Sequence, residues 1–291
     1  MSKFKRVIVT NDILRNMTKE NLMVTISGGR SSAMMARHIQ MSNKYKDFNK
    51  VYVFCNTGME RPETIQFLDN IEKYWQIPII KIEGIYSNDL GTGIKYKIVS
   101  YNELDMSAQT FSNMIEHKTK GIFKGMPNQN APYCSENLKT TPAKKLCDDI
   151  FGVNNYKIAI GFRKEDMPKR ISWAEIKEDK KRIYPLLTDF DSPVSQLDLN
   201  KYWDKQEFKL NLHGKYGNCE LCWKKSDSNL VENIRFGTRF IDWFNEQEQK
   251  HSTTSFRGHK SINDLVKLSQ LPQNLTMNFS TDDDKCVCSF N

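Results

Sequence analysis

Residues 22–32 read LMVTISGGRSS, an apolar run of strand-forming residues that breaks into Ser-Gly-Gly-x-x-Ser and then into a helical pattern through Ala33, Met34, Met35 and Ile39. This is the composition of a phosphate-binding loop. Glycine opens backbone conformations closed to other residues and lets a ligand approach the main chain. A helix that starts there offers unpaired N–H groups and the positive end of its dipole to an anion. Ser27, Ser31 and Ser32 add hydroxyl donors. The Walker A pattern, G-x-x-x-x-G-K-[ST], cannot be laid over these residues. The competing reading is a small-residue turn that binds nothing.

Two further segments carry chemistry. GFRKEDMPKR, residues 161–170, places Arg163, Lys164 and Arg170 directly after the apolar run YKIAIG. Guanidinium groups at the end of a strand suit phosphate or sulfate; the alternative is a solvated basic loop whose Glu165 and Asp166 order the arginines. Cys219 and Cys222 lie in YGNCELCWKKS, with the tight Cys-x-x-Cys spacing of metal sites.

The elements that must position these residues follow from the apolar pattern. A strand at Leu22–Ser27 leads to a helix from about Ser32 to Met41, and a strand at Val51–Asn56 leads through TGMERP to a helix from Glu63 to about Tyr74. Strands at Ile79–Ile82 and Tyr156–Gly161, helices at Thr140–Ile150 and from Ser195, and a long amphipathic helix at Leu230–Glu246 complete the pattern. Apolar strands alternating with amphipathic helices predict an α/β fold with a doubly wound, mostly parallel sheet. Ligands of such sheets bind beyond the carboxyl ends of the strands, so the SGGRSS and NTGMERPE turns are expected to line one crevice. Residues 84–132, polar and dotted with glycine, read as an excursion or flap. The expected division is a nucleotide-binding domain over 1–205 and an extension over 206–291 that carries the Cys-x-x-Cys loop and a helix, with a loose end at Asp282–Asn291.

Composition narrows the class. Forty-three Lys and Arg against 35 Asp and Glu give a formal charge of +8, which favours a polyanionic partner or a phosphorylated substrate. No run approaches the ~18 apolar residues of a membrane span, and the basic start MSKFKRVIVTND lacks a long apolar core, so a cytoplasmic protein with no membrane partner is expected. Seven cysteines, an odd number, argue against a disulfide framework. Cys55 and Cys147 sit among apolar neighbours and read as core residues; Cys286 and Cys288 read as an incidental tail or a mobile nucleophile.

The order SGG-x-x-S, NTGMERPET, GFRKEDMPKR and Cys-x-x-Cys resembles the PP-loop ATP pyrophosphatases, in the branch of the phosphoadenylylsulfate (PAPS) reductases, over roughly residues 20–245. Members of this superfamily carry SGGKDS, a strand ending in (D/N)TG…PET, GxRxxES..R and paired cysteines. The resemblance implies an adenine-nucleotide α-hydrolase-like fold in which Ser27, Gly28, Gly29, Arg30, Ser31 and Ser32 cradle phosphate while Asn56, Thr57, Gly58 and Glu63 meet the nucleotide. Arg30 keeps the cation of the family's lysine, whereas Ser31 replaces an aspartate tied to magnesium. Glu63 has a simpler role open to it as a first-turn carboxylate on the helix dipole. Cys134, in APYCSENLKTTP, matches the place where adenylylsulfate reductases carry adjacent cysteines and hold a 4Fe–4S cluster. The ligand set implied is Cys134, Cys219 and Cys222, which leaves one iron open for sulfur; zinc with His213 or Cys286 as a fourth ligand is the structural alternative. Cys134, Arg163 and Arg170 are then the residues expected to act on the substrate, and Trp223 adjoins and shields the cluster loop.

Three functions follow from the resemblance. The first is sulfur transfer onto tRNA or DNA after adenylation by ATP with Mg2+, in the manner of tRNA thiolation and DNA phosphorothioation ATPases, using a sulfur donor. The second is reduction of PAPS or adenylylsulfate to sulfite with a thiol reductant. The third is a nucleotide-binding module with structural zinc and no catalysis. Oligomeric state, including a homo-oligomer, is left open.

Overall fold

Strand β1 (Asn21–Ile26) is buried from Leu22 onward, and this run of apolar side chains with no polar face forces it to the middle of a sheet. It pairs in parallel with β2 (Asn49–Cys55) on one side and with β5 (Lys157–Ala159) on the other. Strand β3 (Ile79–Ile85) extends the sheet beyond β2, β4 (Lys95–Ile98) closes that edge antiparallel, and β6 (Arg182–Ile183) forms the other edge. Among the described residues the sheet therefore has six strands in the order β4-β3-β2-β1-β5-β6, mostly parallel as the sequence pattern predicts. The structure, a computed structural model, describes residues 20–272 apart from 88, 90, 120–124, 129–130, 252–256 and 258–259. The N-terminal basic stretch, Cys286, Cys288 and the C-terminal tail lie outside the described residues.

Helices α1 (Arg30–Met41) and α2 (Pro62–Trp75) follow β1 and β2. Their apolar stripes pack with β1 and β2 into one core, where Trp203 stacks on Trp75 with ring centroids 5.5 Å apart. Helix α3 (Gln109–Thr119) lies within the segment that reads as a polar excursion, yet its Phe111, Met114 and Ile115 are buried. They pack with Leu230, Phe244 and Leu265 from the C-terminal helices. The excursion and the extension thus contribute side chains to one cluster. Helix α4 (Thr141–Phe151) continues a π turn at Glu136–Thr140, and α5 (Trp173–Glu178) and α6 (Pro185–Thr188) flank β6. Helix α7 (Gln196–Asp204) starts at Ser195, whose side chain accepts from the Asp198 N–H.

The single helix expected over Leu230–Glu246 is two, α8 (Asp227–Phe236) and α9 (Ile241–Lys250), followed by α10 (Ile262–Gln270). Gly237 ends α8 at φ 98°, a conformation that glycine reaches without steric penalty, and amphipathic periodicity alone does not register such a break. No helix among the described residues is long and apolar enough to cross a membrane.

Far from the strand ends, Asp189 ties α6 to α1. Its nearly inaccessible carboxylate receives His38 Nε2 at 3.1 Å, Lys44 Nζ at 2.5 Å and the Tyr45 hydroxyl at 2.6 Å. Burial opposes ionisation, but the hydrogen bonds from His38, Lys44, Tyr45 and Thr188 outweigh it and hold this carboxyl far below the usual carboxylate range. A depressed folded-state pKa contributes stability that is fully present above the unfolded value of ~3.9 and is lost progressively below it, as pH falls through the lower folded-state value. Asp189→Asn is expected to destabilise the fold by about 3 kcal/mol at neutral pH, and by progressively less as pH falls below ~4, in denaturant melts across that range.

Candidate functional site

The sheet order reverses at β1, since the chain passes from β1 to β2 on one side and returns as β5 on the other. Crevices open beyond the strand ends at such a switch point. There a pocket of about 140 Å³, with room for on the order of ten water-sized groups, is lined by Ser27, Gly29, Arg30, Ser31 and Ser32 from the first loop. Gly161, Phe162 and Arg163 line it from the second loop, and Gly214, Gly217 and Asn218 form a further wall. The SGGRSS loop and the segment 161–163 therefore meet in one pocket.

Local bonds brace this loop. The Ser32 hydroxyl bonds the Gly29 carbonyl, the Ser27 N–H and the Ser27 hydroxyl, each at 3.0 Å, so two of the expected hydroxyl donors brace the turn itself. No side chain caps the N-terminus of α1, whose first N–H groups are free of intrahelical partners. Gly28 sits at φ 74°, and a Cβ there would fall 2.3 Å from Thr64 Cγ2. Gly161 brings the β5 exit against the loop, since its Cβ would lie 3.2 Å from Ser32 Cα.

Two guanidinium groups face this pocket. Burial, and then the charge of Arg163, push the Arg30 pKa below its ordinary value. Arg163 donates to Gln196 Oε1, while its N–H bonds Asp166 Oδ2 at 2.8 Å. Asp166 is the one carboxylate among the described lining residues, and its other oxygen holds Arg170 at 3.0 Å. Both oxygens are thus committed, and these residues do not fit a protein-held Mg2+, which requires open oxygen ligands. Arg170 lies outside the pocket, with its guanidinium 4.4 Å from the Phe162 ring centroid. Of the basic trio expected here, only Arg163 reaches the pocket; Lys164 is exposed and Arg170 braces Asp166.

Residues Asn56, Thr57 and Gly58 do not line this pocket, which differs from the sequence expectation. They follow β2, on the opposite side of β1 from β5, so the switch point turns them away. Fully buried Asn56 donates to Glu83 Oε1 at 2.7 Å and to the Asp105 carbonyl at 2.8 Å. Gly58, at φ 84°, packs against Asp105, and Glu63 likewise stands outside the lining.

Thr57 faces a second cavity. Cys134, Cys219 and Cys222, all buried, line it together with Met59, Phe111, Leu138 and Trp223. Chain order gave no sign that Cys134 would meet the Cys-x-x-Cys loop; the resemblance alone did. Thr57 Oγ1 lies 3.4 Å from Cys219 Sγ, and Trp223 Nε1 donates to Cys134 Sγ at 3.4 Å. The two cavities share one wall, the segment running from Gly217 and Asn218 into Cys219. Thiol donors in an apolar shell suit an iron–sulfur cluster chemically. The space does not suit one, because the cavity measures about 20 Å³, little more than one water. Among the described residues no three His, Cys, Asp or Glu side chains are grouped to hold a metal ion. His213 is exposed and caps its own turn. Cys55 and Cys147 are core residues, and burial lifts the Cys147 thiol to about 12.

With this geometry in place, one relative is informative. The "Uncharacterized nin region protein ORF290" of Escherichia phage lambda is 31% identical over 209 residues, which span 72% of this chain and 67% of that protein. The chain belongs to the same family as that phage protein. No family model matches the sequence. A solved structure, the phosphoadenylyl-sulfate (PAPS) reductase from Candida auris in a phosphate complex, is similar at 15% identity and a TM-score of 0.38, covering 65% of this chain and 73% of that one.

A latch that sequence reading missed holds the second cavity closed in this family member. Glu220, buried between the two cysteines, accepts Arg239 Nε at 2.8 Å, and its N–H bonds the Met59 carbonyl at 3.1 Å. Arg239 Nη2 also donates to the Glu60 carbonyl at 2.6 Å. Arg239→Met is expected to raise the rate at which Cys219 and Cys222 react with a maleimide by about tenfold, since a buried carboxylate loses its partner; peptide mapping of the labelled sites checks this. Gly28→Ala is expected to destabilise by about 1–3 kcal/mol, through the left-handed backbone and the Thr64 contact, as read by thermal melting.

Proposed function

We propose that this chain is a PP-loop enzyme that binds ATP or an adenylyl nucleotide in the SGGRSS pocket and carries out sulfur chemistry with thiols of the adjoining cavity. The observation that carries the reading is the pairing of Arg30 with Arg163 in one pocket at an uncapped helix start. Like charges gathered beside oriented N–H groups are a net cost to the empty fold and become favourable when a polyanion lies between them. Phosphate groups supply that charge, and Mg2+ would come on the nucleotide.

In the sulfur-transfer reading, an acceptor oxygen on tRNA or DNA attacks the α-phosphorus of ATP and pyrophosphate leaves. Sulfane sulfur from a donor, carried as a persulfide on one of Cys134, Cys219 and Cys222, then displaces AMP. A second of these thiols attacks the resulting S–S bond, which releases the thiolated acceptor and leaves a disulfide that an external thiol reductant returns to the dithiol. Arg30, Arg163 and the α1 N–H groups would stabilise the departing phosphate oxygens. The formal charge of +8 supports a nucleic-acid acceptor. No step is assigned to a 4Fe–4S cluster, for which the cavity as it stands is too small, or to zinc, for which no three ligating side chains are grouped among the described residues. A second reading, reduction of PAPS or adenylylsulfate to sulfite, is supported by the continuity of chain from Asn218 in the nucleotide pocket to Cys219 in the thiol cavity, along which a thiol would reach a bound sulfonyl group.

Pyrophosphate release from ATP that requires added tRNA or DNA would select the first reading, and sulfite from adenylylsulfate with a dithiol the second; neither product would reject both. Arg30→Met is expected to weaken ATP binding about tenfold to a hundredfold in calorimetric titration, through loss of a charge-assisted grip, with a melting temperature no lower than that of the wild type.

A further inference from the structure

In NTGMERPET, the arginine has no role in any of the arrangements above. Arg61 is the residue preceding α2 and is only 6% exposed. Its Nε and Nη2 atoms are closed off from solvent, and neither meets a hydrogen-bond acceptor. A buried donor left without a partner costs about 1–3 kcal/mol, more when charged, and calls for an explanation. The two unpaired atoms form one edge of the guanidinium, the edge whose parallel N–H bonds grip a planar pair of anionic oxygens.

The surroundings fix this edge in place. The Arg61 guanidinium lies 4.9 Å from the Phe236 ring centroid, and Phe236 stacks on Tyr216 at 4.2 Å with the rings 9° from parallel. Tyr216 lies in the segment whose Gly214, Gly217 and Asn218 line the phosphate pocket. Thr64, in the first turn of α2, has a buried hydroxyl without a partner and presses on Gly28. A second helix start therefore abuts the phosphate loop, bearing an unpaired guanidinium edge and an unpaired hydroxyl. Glu63 Oε2, buried and unpartnered on the same turn, adds an acceptor that selects a ligand carrying an O–H donor beside its anionic oxygens.

We propose that Arg61 and Thr64 form a second oxyanion site, which takes a phosphate or sulfate group through the Nε and Nη2 edge of Arg61. Its residues are separate from those of the nucleotide pocket, so it stands whether or not that pocket binds ATP. The oxyanion has two sources, a further phosphate of the nucleotide in the neighbouring pocket or a phosphate on another molecule.

The test uses the full chain and the Nε–H resonance of Arg61 in nitrogen-edited NMR, assigned through Arg61→Lys. Inorganic phosphate and AMP are titrated separately into the wild type and into Arg30→Met. A saturable shift of the Arg61 resonance by phosphate in both proteins supports the site with an independent oxyanion. A shift by AMP in the wild type that Arg30→Met abolishes supports it with the nucleotide as source. Arg61→Lys keeps the charge but loses the edge, and is expected to weaken the effective ligand about tenfold. A resonance that no titrant moves, or affinities unchanged in Arg61→Lys, would overturn the proposal. Failure of AMP to bind the wild type at all would count against the nucleotide reading and leave the phosphate titration as the arbiter of this site.

Discussion

Two guanidinium groups held in one pocket against their own repulsion organise this molecule. Arg30 begins α1 and Arg163 follows β5, and they meet because β1 pairs with β2 on one side and with β5 on the other. The Thr25 hydroxyl donates to the Ala159 carbonyl at 2.7 Å, which locks the two strands near the ends that carry those loops. Gly161 permits the close approach, and Trp203 Nε1 bonds the Arg30 carbonyl from the core. Like charges in such a setting disfavour the empty pocket, and the proposed anionic ligand would offset that repulsion.

The thiol cavity depends on a different device. Its wall is continuous with the phosphate pocket through Asn218 and Cys219, but its closure rests on Glu220 and Arg239, which tie the Cys-x-x-Cys loop to the turn after β2. That turn is buried and fully occupied with internal bonds: Asn56 to Glu83 and Asp105, Thr57 to Glu60 at 2.9 Å. Burial raises the Glu60 pKa, while Lys139 and the Thr57 bonds oppose the rise. The turn is thus the structural floor of the thiol cavity, and Arg61 at its end remains the one guanidinium edge it leaves unpaired.

Much of this was legible in sequence because local rules carried it. Strands without a polar face, a glycine pair before a helix and basic residues after a strand are short-range signals, and they located β1, β2, β5 and the loops that line the switch-point pocket. The path of the chain between elements is not a short-range property. Nothing in NTGMERPE reveals that β2 lies on the far side of β1 from β5, so Asn56, Thr57 and Gly58 were expected in a crevice that they do not reach. The apolar face of α3 is hidden in a polar segment, because its partners Leu230, Phe244 and Leu265 are distant in the chain. Cys134 joins Cys219 and Cys222 only through that same packing, and charge pairs such as Glu220 with Arg239 have no signature in spacing.

Amide hydrogen exchange with and without ATP tests the central claim most directly. The account predicts that ATP slows exchange at residues 28–33 and 161–164 together, the two loops that meet at the switch point, and leaves residues 55–60 unchanged. Protection confined to one loop, protection centred on residues 55–60, or none at saturating ATP would contradict it.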